Sequence, residues 1–105
     1  MRQWVCAALL ALVASVSLQG ASVPQFERDV LPLLNRRCFQ CHGEAVRMGE
    51  LDLRTPASML KGGTQGPALR LGSSQDSRLV ERVVDQSMPM GEDKLSSSEI
   101  ALLRA

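Results

Sequence analysis

Tyrosine is absent from these 105 residues, tryptophan occurs once and phenylalanine twice, so the large flat side chains that dominate most core energetics are nearly missing. Histidine also occurs once and cysteine three times, with Cys6 inside the apolar N-terminal run, so the chain beyond that run offers only Cys38, Cys41 and one His, too few for a four-ligand zinc site. No block of like charge breaks a net charge of +1, which excludes the basic footprint of a nucleic-acid binder and strong electrostatic steering. The longest predominantly apolar run, Trp4 to Leu18, rich in Ala, Leu and Val, holds about 15 residues, short of the roughly 20 a helix needs to cross a bilayer. No internal repeat, low-complexity tract or stretch of alternating apolar and polar residues is present, so a sheet is not expected. An all-α domain with long Gly/Pro-rich loops is.

What is there begins with Arg2, that apolar run, and then the small residues Gly20, Ala21 and Ser22, the layout of a cleaved secretory leader. We expect a leader at residues 1–21 and one mature domain at 22–105, exported to the periplasm or beyond, with no stable membrane span once the leader is gone. Trp4 and Cys6 leave with it. The loss of Arg2 brings the remaining eleven Lys and Arg level with the eleven Asp and Glu. A domain this small is marginal on hydrophobic burial alone and ordinarily leans on disulfides, a metal or a cofactor. With Phe26 and Phe39 its only aromatics, something other than aromatic rings is expected at its centre.

Helix signals punctuate the chain. Ser22, Pro24 and Gln25 form a start signal, followed by Phe26, Val30, Leu33 and Leu34 on one face. Pro32 should kink that helix, which should end near Arg36, Arg37 and Cys38. Gly43 to Asp52 reads as loop, and Thr55-Pro56 ahead of Gly62-Gly63 brackets a helix of one or two turns. Gly62 to Gly72, with Pro67 inside it, should be irregular and able to approach a ligand closely. Ser73 to Ser77 supply caps for a helix carrying Leu79, Val80, Val83 and Val84, which the turn Ser87 to Gly91 should end. Ser96 and Glu99 form a capping box, with Leu95 and Ile100 placed as a hydrophobic staple. This last helix stops at Ala105 after barely two turns, where its apolar stripe should continue, so a shortened chain is expected.

Cys38-Phe39-Gln40-Cys41-His42 is Cys-x-x-Cys-His, the attachment pentapeptide of c-type haem. Two thiols at this spacing can add to the vinyl groups of neighbouring pyrroles while the next residue directs its imidazole to the iron. A chance match is rare, on the order of one in a thousand at ordinary residue usage, and His42 is the only histidine. A thioredoxin-like redox pair would want a βαβ context, and a zinc site would want further Cys or His ligands. A plain Cys38–Cys41 disulfide would leave His42 without a purpose. For the second axial ligand four methionines of the mature chain are available, Met48, Met59, Met88 and Met90. Met59 suits core filling and Met48 packing or surface. Met88 is favoured because Pro89 stiffens the turn that displays it, with Met90 as the alternative.

Beyond the pentapeptide, Gly43, Gly49-Glu50-Leu51-Asp52-Leu53, Gly62-Gly63, Gly66-Pro67-Ala68, Ser77-Arg78-Leu79, Met88-Pro89 and Leu95 to Ile100 follow in order. In these motifs, from about Phe26 to Ala105, the chain resembles the planctomycete-type cytochrome c domains found at the start of large exported bacterial proteins. The resemblance implies a class I cytochrome c-like helical fold around one covalently attached haem c per chain. It also implies iron ligation by His42 and Met88, and a Pro67 carbonyl that accepts from the second nitrogen of His42 and so orients the ring. The family pattern reads Met-Pro-Pro where this chain has Met88-Pro89-Met90, which keeps Met90 open as ligand. It also continues past the last helix to a Trp-containing end that is missing here, so the packing of the terminal helices should be incomplete. No other acid, base or nucleophile cluster is visible, which favours an electron carrier, working with a redox partner protein, over an enzyme. The alternatives are the relay domain of a larger oxidoreductase, and a haem sensor or peroxidase-like enzyme with an open sixth position.

Overall fold

The computed structural model describes residues 23–105. The predicted leader, Cys6 and the Ser22 cap lie outside the described residues. Four α-helices follow one another, α1 (Leu31–Arg37), α2 (Pro56–Lys61), α3 (Arg78–Val84) and α4 (Ser97–Arg104), with a π turn at Phe26–Val30 and a single tight turn at Met48–Glu50. Among the described residues there is no strand, only isolated bridges between His42 and Arg47 and between Gly63 and Gly66. The all-α expectation holds.

The first helix starts later than its sequence signal, after an extended Gln25, and its cap comes from inside: the Gln25 amide donates to Asp29 Oδ2 at 2.8 Å. Pro32 is accommodated by a change of register. The Leu31 amide reaches back five residues to the Phe26 carbonyl, closing the π turn, so Pro32 falls in the first turn of α1 where its missing amide costs no bond. The helix then runs to Arg37 as expected. At α2, Thr55 Oγ1 accepts from the Ser58 amide at 3.0 Å and Ser58 Oγ from the Thr55 amide at 3.2 Å, a reciprocal cap. Gly62 closes this helix at φ 72°, a left-handed position where a Cβ would meet the Gly66 carbonyl.

Ser77 precedes α3 but does not cap it. Its hydroxyl is buried, donating to the Ser73 carbonyl at 2.8 Å and accepting from the Arg70 amide at 2.9 Å, so it pins the preceding loop instead. Nor does α3 last until the Ser87 turn; it ends at Val84 through Asp85 and a left-handed Gln86 at φ 65°. At α4 the Ser96–Glu99 capping box forms as read, with the Glu99 amide 3.2 Å from Ser96 Oγ.

Leu34, Leu53, Met59 and Ala68 make the core, and Leu79 of α3 and Leu103 of α4 pack against it, so every helix contributes one apolar side chain. Burying a side chain of this size is worth about 1.5–3 kcal/mol. Met59 is a core residue, as its place in α2 suggested. Short as it is, α4 packs against both α3 and the Phe26–Val30 turn, so the terminal elements meet.

Candidate functional site

Where α1 ends the chain turns at once. The Cys41 and His42 amides both donate to the Cys38 carbonyl, at 3.2 and 2.9 Å. The Cys41 and His42 carbonyls in turn accept from the amides of Met48 and Leu53, at 2.8 and 3.0 Å. Gly43, next in the chain, is buried and donates to the Val46 carbonyl at 2.8 Å; a Cβ there would run into the Phe39 carbonyl. Only glycine lets the chain close this turn, and the closure puts Cys38, Cys41 and His42 on one wall of a cavity.

The cavity has a volume of about 470 Å³, within the range of small-molecule and cofactor pockets. Leu51, Leu53, Ala68, Leu79 and Val83 line it with apolar surface. Met88, Pro89 and Met90, from the loop between α3 and α4, also line it. Met88 is half-buried, while Met90 is 57% exposed. The Met88 amide donates to the Arg82 carbonyl at 3.0 Å, and Lys94 Nζ to the Pro89 carbonyl at 2.6 Å.

Cys38 and Cys41 are both free thiols. Burial pushes the Cys38 thiol up to about 11, against the pull of the Arg37 charge, so it stays protonated near neutral pH. His42 lines the cavity, and its Nδ1 is buried with no hydrogen-bond partner. The Pro67 carbonyl expected to accept from His42 therefore does not do so: Pro67 is exposed, while its neighbours Gly66 and Ala68 line the cavity. Two thiols, one imidazole and a thioether lining one largely apolar pocket fit a covalently held haem. The rival readings lack their geometry among the described residues. No three His, Cys, Asp or Glu side chains gather as a metal would require, and no strand supports a thioredoxin-like pair.

Met48, read as packing or surface, reaches the cavity from the Met48–Glu50 turn, although it is 43% exposed. Arg37, Gln65, Arg78 and Arg82, which the sequence reading did not single out for the site, also line it. The four-residue spacing of Arg78 and Arg82 was readable as a shared helix face, but which side of α3 met a pocket was not.

A sequence model of the family described as Planctomycete cytochrome C matches residues 38–90, half of the chain. The chain belongs to that family. The match opens on Cys38 and closes on Met90, so it spans both walls of the cavity. Membership in the planctomycete cytochrome c family implies a covalently bound haem c and, with it, haem-based electron transfer. Neither the curated proteins nor the solved structures give a significant match. No helix among the described residues is long and apolar enough to cross a membrane.

Proposed function

We propose that this planctomycete cytochrome c domain holds one haem c through Cys38 and Cys41, with His42 and Met88 as the iron's axial ligands, and passes single electrons between protein partners in the periplasm. The observation that carries the reading is the single cavity shared by the pentapeptide and the Met88 turn, brought together from 46 residues apart between His42 and Met88. When bound, haem supplies a one-electron iron couple whose potential a thioether ligand raises.

Each residue has a part in that arrangement. Cys38 and Cys41, set by the turn after α1, fasten the group covalently. His42 is fixed by backbone bonds at both its amide and its carbonyl, which limits where its ring can sit. Met88 is preferred to Met90 because its amide and the next carbonyl are both tethered, and because it is the less exposed of the two. Leu51, Leu53, Ala68, Leu79 and Val83 keep water off the faces of the group. With both axial positions filled from the chain, no position is left for substrate, which supports a carrier. Residues 1–21 act as the export leader of the domain at 22–105, and the domain acts as a relay where it is joined to a larger oxidoreductase.

The test is the visible spectrum of protein matured in a host competent for c-type haem, beside Met88→Ala and Met90→Ala. A low-spin spectrum whose methionine signature is lost only in Met88→Ala supports the ligand set. Folded, matured protein without covalent haem would end the reading. Carbon monoxide binding by the reduced parent at full occupancy would favour an open sixth position, and with it a sensor or peroxidase.

A further inference from the structure

Three arginines line the cavity, and they are not equivalent. Arg37 is committed elsewhere: its Nη1 lies 2.8 Å from Asp93 Oδ2, its Nη2 donates to the Lys94 carbonyl at 2.7 Å, and its Nε lies 3.7 Å from Glu99 Oε2. Among the described residues, Arg78 and Arg82 pair with no carboxylate. Both donate instead to one neutral atom, Gln65 Oε1, Arg78 from Nη1 at 3.4 Å and Arg82 from Nη2 at 3.2 Å.

That convergence is costly as it stands. Residues four apart on a helix face each other, and like charges there repel. Each guanidinium has about five N–H donors, and the shared amide oxygen takes one from each. Arg78 is exposed and Arg82 half-buried, so the pair sits at the mouth of a pocket whose deeper walls are apolar. Asp85 lies close enough for the Arg82 charge to help lower its carboxyl, yet neither arginine holds a carboxylate in direct contact, and two cations so placed suit a ligand that is flat and apolar over most of its surface and anionic along one edge.

We infer that Arg78 and Arg82, steadied by Gln65, form the site that binds the carboxylates of the haem propionates and so fixes which edge of the ring faces solvent. The inference rests on the proposed haem site. Arginine suits this work because its fork can hold a carboxylate with two parallel bonds. A cation beside each carboxylate also offsets negative charge near the iron, which disfavours the oxidised form relative to a bare propionate.

The experiment uses matured holoprotein, with covalent haem confirmed by its absorbance, and measures reduction potential in the parent, R78Q/R82Q, R78K/R82K and R70Q. Arg70 is an exposed arginine that does not line the cavity. The double glutamine variant should have the lower potential, with about a tenfold rise in the oxidised-to-reduced ratio at the parent's midpoint, equal to about 59 mV for one electron. The double lysine variant should recover most of that shift and R70Q should show none. If the double glutamine variant does not mature, R78Q and R82Q alone should each show a smaller shift of the same sign. Glutamine variants that hold covalent haem at the potential of R70Q would overturn the inference and leave the electron-carrier reading standing. A parent without covalent haem would remove both.

Discussion

From Cys38 to Leu53 the first wall of the cavity is knitted by backbone hydrogen bonds within one short stretch of chain, and the carbonyls of Cys38, Cys41 and His42 are all used. The second wall, Met88 to Met90, is held by the Met88 amide on Arg82 and by a side chain, Lys94, on the Pro89 carbonyl. Lys94 is itself held through its carbonyl by Arg37, which also grips Asp93. The first wall depends on backbone geometry that most substitutions leave alone. The second depends on two long side chains, Lys94 from five residues beyond Pro89 and Arg37 from the far side of the sequence. A covalent attachment needs the firmness of the first, while the second, with one methionine half-buried and another exposed, leaves the identity of the ligand open to change.

The largest loss should come from beneath both walls. Leu34 is fully buried in the core shared by all four helices, and Leu34→Ala should cost about 2–5 kcal/mol, read as a lower urea midpoint. Gly43→Ala should come next, at about 1–3 kcal/mol, because the added methyl collides with the Phe39 carbonyl inside the turn. It should also reduce covalent haem per chain, read by absorbance against protein concentration. Parental stability and haem content in Gly43→Ala would mean that the first wall is softer than its hydrogen bonds imply.

The same division decides how much the sequence made legible. Where structure is set locally, the reading was close. The pentapeptide, the Thr55-Pro56 start, the Ser96–Glu99 box and the end of α1 at Arg37 all rest on residues within a few positions of each other. Where a side chain had two possible uses, the reading missed. Ser77 was a cap by pattern but serves the loop before it, because its hydroxyl is buried against Ser73 and Arg70. Pro32 announced a disruption, but only the fold shows that a π turn absorbs it, through the Leu31 amide on the Phe26 carbonyl. Arg37, Arg78 and Arg82 looked alike in the chain, and their different roles follow from which carboxylates the fold brings near.

Lys94→Met should separate the walls. The substitution removes the one side-chain bond to the Pro89 carbonyl and leaves the first wall untouched. Its cost in global stability should be about 1 kcal/mol, since a partly exposed carbonyl can bond to water instead. Its effect on the holoprotein should be more visible: with Met88 as the proposed ligand, the reduced form should bind carbon monoxide more tightly than the parent, because the turn that carries Met88 would give way more readily. A loss of stability as large as that of Gly43→Ala, with unchanged carbon monoxide binding, would show that Lys94 supports the fold and not the ligand turn.

Acid should act on the same difference, with the smallest effect. The Ser96 amide holds the Glu99 carboxyl below the usual range, aided by the Arg37 charge, so Glu99 adds stability above its unfolded value, about 4.3, and loses it as pH falls through the folded one. Asp52 behaves alike, held down by its hydrogen bond from the Arg54 guanidinium, with Arg47 also near. Protonating Asp52 leaves the backbone bonds of the first wall in place. Protonating Glu99 weakens the start of α4 and frees one contact of Arg37, the residue that holds Lys94. Carbon monoxide binding to the reduced holoprotein should therefore strengthen below about pH 4, where carboxylates protonate. In Glu99→Gln, which keeps a capping side chain but cannot titrate, that acid response should flatten, and in Asp52→Asn it should persist. Equal flattening in both variants would show that the two walls respond to acid as one unit.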